Sequence, residues 1–526
     1  MSRRRFLQIS ATSVAATTLA GPAGSARGDD SPTPKPSPEK DLPPDAPNVV
    51  FIITDQQRWD TVAALGFPWM ITPNLDRLVR EGVAFTHAYC PAPSCVASRH
   101  ALMTGYFAPT TGVFSFDSWS GRKDWLQAFG QAGYHMASIG KVHYQPVRDL
   151  PAYWDERVVV ENKSEGEMPS VHGGKTLDDW GRDIAKKNIP KPMRRDEKYP
   201  DFSDRLGAFA WEYDESDQAD MWTGDRAVRW IENYQGKAPF FLWVGFPGPH
   251  EPYDPPKRFL DMYKGREMPP VSGSYADLGD PGKHEPWETK AYADFIENDS
   301  GDHKLALSKA TPEGVAETRR HYCANVTAID EKVGEILAAL EQRGILDNTI
   351  IVFTSDHGDT LFDHGVPYKW TPYEGSVRVP LIVRYPKAFA KGLRTDRMTS
   401  LLDVVPPLFE QASLPVPPGR QWVSASATLA GKPETSPPKY AYCVHGSDQF
   451  NPSTWIMVAS QKWKYVHYIN SESRQLYDLE NDPGELKNLA FDRHYAPVRA
   501  EMESEALRWF ASSTRQGSQV WSAEIR

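Results

Sequence analysis

"NVVFIITDQQ", residues 48–57, sets the fold: a run of Val, Phe and Ile that reads as a β-strand and ends directly in Asp55 and Gln56. Three other apolar runs end the same way. "HMASIG" (135–140) leads into Lys141 and His143, "FFLWVGF" (240–246) into His250, and "TIIVFTS" (349–355) into Asp356 and His357. Helical patterns separate them, so the chain predicts an α/β fold, a large doubly wound mixed sheet flanked by helices. In such sheets ligands bind beyond the carboxyl ends of the strands, where these four ends can converge.

The intervening helices carry ordinary punctuation. "TPNLDRLVREG" (72–82) places Thr72 as N-cap, Pro73 at the first helical position and Gly82 past the end. From Glu313 to Arg343, Val326, Ile329, Val333, Ile336 and Leu340 recur at helical spacing, a stripe for the core. Regular patterning fades between Pro151 and Met221 and between Tyr263 and Pro312, which read as surface insertions. After the proline cluster "LPVPP" (414–418), "WIMVAS", "KWKYVHYI" and "RQLYDL" predict short antiparallel strands. They belong to a smaller C-terminal α+β domain.

"MSRRRFLQISATSVAATTLAGPAGSARG" opens the chain with paired arginines before a weakly apolar run, the pattern of a twin-arginine export signal. Expected boundaries are therefore a signal at 1–28, a disordered Pro-rich linker at 29–47, a catalytic domain at 48–415 and the C-terminal domain at 416–526. The mature protein is expected in the periplasm or secreted, delivered by the twin-arginine translocase, with no permanent membrane anchor. A net charge of −10 and a pI near 5.8 argue against a nucleic-acid partner, which would want a basic face. Cys90, Cys95, Cys323 and Cys443 lack zinc spacing and disulfide density, so free thiols are expected and Cys90 reads as packing.

Cys95 is different. In "CPAPSCVASRHALMTG" (90–105) it opens a helix that Gly105 closes, and a helix start attracts anions. Asp55, Gln56 and Asp356 offer hard oxygens and His357 a softer nitrogen. That set favours Ca²⁺, with Mg²⁺ or Mn²⁺ as alternatives.

These residues carry a family resemblance. "CVASRHALMTG" resembles the signature of the type I sulfatases, in the alkaline phosphatase superfamily, whose cysteine is oxidised to formylglycine. "PNVVFIITDQQRWD", "TPNLDRLVREGVAFTHAYC", "GKVHY", "PHEPYDPP", "SDHGD", "KWTPYEGSVRVPLIV" and "LYDLENDPGELKNLA" resemble sulfatase segments, in sulfatase order. The resemblance implies a hydrolase of sulfate esters, on a sulfated small molecule or glycan, using a formylglycine at position 95 and a divalent cation. It also implies roles: Cys95, Asp55, Gln56, Asp356 and His357 at the metal, Arg99 and Lys141 holding the formylglycine, and His143 taking its second proton. His250 and Lys369 would bind the sulfuryl group and protonate the leaving oxygen, and Asp356 is also a candidate first base.

Ala97 stands where the family has proline, which keeps the radical type of maturase in view because that type tolerates alanine. Gln56 with His357 looks more like the choline-sulfatase and phosphonate monoester hydrolase side of the superfamily. A phosphonate monoester or phosphodiester hydrolase on the same scaffold is therefore the alternative. A binding protein whose Cys95 stays a thiol, and a cysteine hydrolase, are the readings from other classes.

Overall fold

The run at Asn48 becomes the middle of the main sheet. In the computed structural model, described over residues 42–119, 123–144, 152–163, 168–169, 175–192, 201–275, 278, 287–299, 304–446 and 454–524, β1 is Asn48–Asp55 and is buried at every position. The expected export signal (1–28) and the linker up to residue 41 lie outside the described residues. The other strands of this sheet are β2 (Val83–Phe85), β3 (His135–Gly140), β4 (Glu156–Val159), β5 (Phe240–Pro249), β6 (Thr349–Ser355), β7 (Leu381–Arg384) and β8 (Leu393–Thr395). Their order is β8-β2-β7-β6-β1-β5-β3-β4.

Neighbours from β6 to β4 pair in parallel, and β7 runs antiparallel to both β6 and β2. Because side chains alternate along a strand, a strand covered on both faces must be apolar at every position. That is what β1 shows. Val49, Phe51 and Ile53 join Phe241, Trp243, Ile350 and Val352 in one core, while Val50 and Ile52 join Leu242, Val244, Ile351 and Phe353 in the other.

The helices include α1 (Pro73–Glu81), α2 (Cys95–Thr104), α3 (Ala219–Asn233), α4 (Pro312–Gln342) and α5 (Ala496–Glu524). α1, α3 and α4 cover the second core with Leu75, Leu78, Ala227, Ile231, Ile329, Val333, Ile336 and Leu340. Thr311 caps α4 by accepting from the Gly314 N–H at 3.1 Å. Thr72 takes the N-cap position of α1 as expected, but its hydroxyl accepts from Ala63 N at 2.9 Å and makes no cap hydrogen bond to the helix. Asp330 of α4 takes over: its carboxylate accepts from Leu75 N at 2.7 Å and from Asn74 N at 3.2 Å.

A small antiparallel sheet follows: β9 (Ala441–His445), β10 (Trp455–Ala459), β11 (Trp463–Tyr468) and β12 (Arg474–Asp478). One face, through Cys443, Trp455, Met457 and Val466, continues the first core; the other packs Ile456, Val458 and Tyr465 against Met502 and Ala506 of α5. All four cysteines are free thiols, and Cys90 is buried with its Sγ 4.0 Å from that of Cys443. Among the described residues no helix is long and apolar enough to cross a membrane.

The two expected surface insertions are partly interior. Val160, Trp180, Ile184, Ile189, Trp211 and Trp222 form a core of their own, and a helix at Trp287–Asn298 puts Tyr292 and Ile296 against Phe362, Tyr368 and Trp370. Large aromatic side chains spaced irregularly bury enough area without any period to reveal it.

What the fold does for chemistry is align strand ends. Ile53 lies opposite Gly245 and Thr354, and Gly140 opposite Gly245. The residues just beyond are therefore neighbours. Gly245 has to be glycine, because a Cβ there would stand 1.9 Å from the Lys141 carbonyl oxygen, whose residue donates its N–H to Gly245 at 2.7 Å.

Candidate active site

α2 delivers Cys95. Ser94 precedes it in extended conformation without a side-chain cap, and Gly105 ends the helix in the left-handed region at φ 73°. The Cys95 thiol therefore stands in the first turn, where backbone N–H groups lack intrahelical acceptors. Its Sγ lies 3.0 Å from Lys369 Nζ, 3.4 Å from His357 Nε2 and 3.8 Å from Asp55 Oδ1. Burial, followed by the charge of Asp55, pushes the thiol up to about 11 against Lys369 and Lys141. It is a protonated, poorly nucleophilic sulfur.

Arg99 follows one turn later on the same helix face. Its Nε donates to Asp356 Oδ2 at 2.7 Å, its Nη1 to the Lys141 carbonyl at 2.9 Å, and its Nη2 lies 3.6 Å from Asp55 Oδ2. One guanidinium thus ties the ends of β1, β3 and β6. Lys141 Nζ completes the pairing at 2.8 Å from Asp55 Oδ2. Burial works to raise the Asp55 carboxyl, but Lys141, His250, Lys369 and Arg99 together hold it well below the carboxylate range.

Asp356 Oδ1 accepts from the N–H groups of Gln56 (3.1 Å) and His357 (2.9 Å). His357 Nδ1 lies 2.8 Å from the Gly358 carbonyl, which makes Nδ1 the protonated nitrogen and leaves the Nε2 lone pair facing the thiol and carboxylates. Burial lowers its pKa despite Asp356, so the ring is neutral. That is the state a metal ligand needs.

Gln56, at φ 72°, is oriented by two carboxylates: its Nε2 donates to Glu251 Oε2 at 2.8 Å and Asp359 Oδ2 at 2.7 Å. Its Oε1 then turns to Lys369 Nζ at 2.9 Å. Lys369 itself sits between Tyr368 (φ 66°) and Trp370 (φ 71°), in a loop where Leu361, Phe362 and His364 also have positive φ. Such backbone is costly for non-glycine residues and persists only where neighbours over-determine it. Here Thr360 N–H holds the Tyr368 carbonyl at 2.6 Å and Trp370 N–H reaches Pro93 O at 3.2 Å.

His143, at φ 66°, is half-buried, and burial with the charge of Lys141 lowers its pKa well below the usual histidine value. Its Nδ1 has no hydrogen-bond partner among the described residues. The buried His250 donates its N–H to the Asp55 carbonyl at 3.1 Å and places Nδ1 2.8 Å from the Glu251 carbonyl. Every residue singled out in the sequence therefore reaches this one strand-end site or its wall. Glu251 and Asp359, which aim Gln56, were missed, although both lie inside motifs quoted for other residues, "PHEP" and "SDHGD".

The donor atoms of Asp55, Cys95, Asp356 and His357 all lie within 4.8 Å of one another. Two carboxylates, a nearby amide oxygen and a neutral imidazole fit a divalent cation.

Comparison with known proteins identifies the family. The sulfatase family model matches residues 47–414, and the model for the N-sulphoglucosamine sulphohydrolase C-terminal region matches 362–511. An arylsulfatase of Clostridium perfringens is 29% identical over 465 residues, covering 85% of this chain and 91% of its own length. A choline-sulfatase of Rhizobium meliloti is 30% identical over 462 residues, covering 84% and 82%. Among solved structures, a protein bound to its substrate D-glucosamine-2-N,6-O-disulfate superposes with a TM-score of 0.70 at 22% identity, over 90% of this chain and 98% of that one. The phosphonate monoester hydrolase of Agrobacterium radiobacter gives 0.71 at 23%, over 89% and 96%. The chain belongs to the sulfatase family, enzymes that hydrolyse sulfate esters, within the formylglycine-dependent part of the alkaline phosphatase superfamily.

Proposed function

We propose that this sulfatase is exported by the twin-arginine route and hydrolyses sulfate monoesters of a carbohydrate, using a formylglycine made from Cys95 and a bound calcium ion. The observation that carries the reading is the position of Cys95: a buried side chain at a helix start, 3.0 Å from Lys369 and 3.8 Å from Asp55. Formylglycine supplies a hydrated aldehyde as the attacking oxygen, and a divalent cation supplies positive charge at that oxygen and at the sulfuryl oxygens.

The chain's own groups do the rest. Asp55, Gln56, Asp356 and His357 hold the cation, with Mg²⁺ and Mn²⁺ as the other fits to their chemistry. Arg99 and Lys141 fix the two carboxylates and add charge where the ester's oxygens arrive. Lys369 and His250 bind the sulfuryl group, and His250 gives a proton to the leaving oxygen. His143, kept neutral by burial and Lys141, takes a proton from residue 95 when sulfate departs. Ala97 supports a radical maturase as the partner that makes the formylglycine.

A carbohydrate is supported by relatives: one at 25% identity is named N-acetylglucosamine-6-O-sulfatase, from Bacteroides thetaiotaomicron, and the structural neighbour above holds a glucosamine disulfate. The second reading, a phosphonate monoester or phosphodiester hydrolase, is favoured by His357 among the ligands and by the Agrobacterium neighbour. Rates on sulfated sugars, 4-nitrophenyl sulfate and a phosphate diester, measured on one preparation of known aldehyde content, separate the two. A diester preferred over every sulfate ester would overturn the carbohydrate sulfatase.

A further inference from the structure

Behind the loop that carries His250 lies a second knot of buried charge. Lys163, Asp220 and Asp254 are fully buried. Lys163 Nζ donates to Asp254 Oδ1 at 2.7 Å and to the Pro252 carbonyl at 2.8 Å, and lies 4.0 Å from Asp220 Oδ2. Asp220, in the first turn of α3, accepts from the Gly248 N–H at 2.6 Å. Gln218 Nε2 bridges the two carboxylates at 3.2 and 3.3 Å. The two backbone groups held in this way, Gly248 N–H and Pro252 C=O, lie two residues before and two residues after His250.

Sequence explains why the loop needs outside support. In "FPGPHEPYDPP", residues 246–256, Pro247, Pro249 and Pro252 have no N–H, so the segment around His250 has few donors with which to hold itself by regular structure. Burying ionisable groups costs several kcal/mol each that apolar side chains of similar volume would not incur. What the charges give in return here is placement of backbone. The support extends outward: Lys191 pairs with Asp178 at 2.8 Å and donates to the Asn162 carbonyl at 3.1 Å, and Asp178 accepts from Glu161 N at 3.0 Å. Lys163 is thereby fixed from its own chain side as well.

We propose that Lys163 and Asp220 are positioning residues for His250, clamping both flanks of its loop so that the imidazole meets the leaving oxygen of the ester. This rests on the reading of His250 as the group that protonates that oxygen. A proton donor matters most where the alcohol is a poor leaving group and least where it is an activated phenol. A displaced His250 therefore has a signature that a merely weakened fold lacks.

The experiment measures kcat and KM on a sugar or alkyl sulfate and on 4-nitrophenyl sulfate for His250→Asn, Lys163→Met, Asp220→Leu and Asp220→Asn, each corrected for aldehyde content. A misplacement near 1 Å can cost about 10²-fold, so Lys163→Met and Asp220→Leu are expected to lose that much in kcat on the alkyl ester and less than about tenfold on the phenyl ester, with KM little changed. Asp220→Asn keeps an oxygen for Gly248 N–H and is expected to restore most of the alkyl rate. Equal losses on both esters in Lys163→Met and Asp220→Leu, with discrimination retained in His250→Asn, would overturn the clamp alone. Equal losses in His250→Asn would overturn the acid assignment and the clamp with it. Should Lys163→Met fail to fold, the Asp220→Leu and Asp220→Asn pair decides by the same comparison.

Discussion

Asp55 and Asp254 are equally buried and are driven in opposite directions. The first is held well below the carboxylate range; the second is pushed up to about 6. Desolvation is the largest influence on both and raises both, so burial does not distinguish them. Their neighbours do. Asp55 meets Lys141 at 2.8 Å and Arg99 at 3.6 Å, with His250 and Lys369 acting from further off, whereas Asp220 and Asp254 share Lys163. The cations gathered around Asp55 keep that carboxylate ionised and offer positive charge to an anionic ester. A knot with carboxylates in excess settles by taking up a proton, and is suited to holding backbone.

The sharpest way to break this contrast is to empty the first cluster. Cys95→Ala removes the side chain proposed to become the attacking oxygen, and Asp55→Asn removes a carboxylate proposed to hold the cation. Each is expected to cost at least about 10³-fold in turnover, near the upper end for loss of one transition-state contact. Asp55→Asn should also lose bound metal, measured by elemental analysis, while circular dichroism stays unchanged. A metal-free Asp55→Asn enzyme with wild-type turnover would remove the cation from the reaction. Mass spectrometry of the peptide spanning Cys95 supplies the companion check: active preparations are expected to carry an aldehyde in place of the thiol.

The two clusters also differ in how much of each is written in the sequence. Asp55, Lys141, His250 and Asp356 each stand just past an apolar run, and Arg99 follows Cys95 by one helical turn, so local pattern alone brings them together. The sheet order adds β2, β7 and β8 on one side of the sheet, too short to announce themselves. Lys163 has no such marker. It follows β4 in an aperiodic stretch, and its partners, Asp220 and Asp254, come 57 and 91 residues later. The same distance effect hid the α1 cap: Thr72 holds the N-cap position, but the side chain that accepts the first-turn N–H groups is Asp330 of α4. Local chemistry is readable; a contact made by packing is not.

Gln56 sharpens the comparison because it sits where carboxylates and cations meet. Its amide nitrogen satisfies Glu251 and Asp359 at 2.8 and 2.7 Å while its oxygen takes Lys369. An amide is needed, since a third carboxylate would face two others with no proton donor between them. Gln56→Glu is therefore expected to lower kcat/KM by about 10²-fold, in the range for disturbed support of a metal ligand, and to weaken metal affinity in titration. The double substitution Gln56→Glu with Glu251→Gln, which restores a donor to that contact, should recover part of the loss. If the single variant matches wild type, the two carboxylates do not set the amide's orientation.

The smallest effect tests the other end of the contrast, through stability alone. Burial raises the Asp254 carboxyl from 3.8 to about 6, with Lys163 pulling it down. Between those two values the folded chain keeps a proton that the unfolded chain releases, so the linked stabilisation is full below pH 4 and is lost as pH rises through 6. At 1.36 kcal/mol per unit the loss amounts to about 2–3 kcal/mol. Asp254→Asn cannot titrate. Relative to wild type it should therefore keep a constant offset below pH 4 and shift in its own favour by that amount between pH 4 and 7, read from urea midpoints of the two chains. The Asp55 carboxyl, held low, adds no slope in this window, so any difference belongs to the second cluster. Parallel curves for the two proteins from pH 4 to 7 would mean that Lys163 neutralises Asp254 as fully as Lys141 and Arg99 neutralise Asp55, and the distinction between the clusters would be gone.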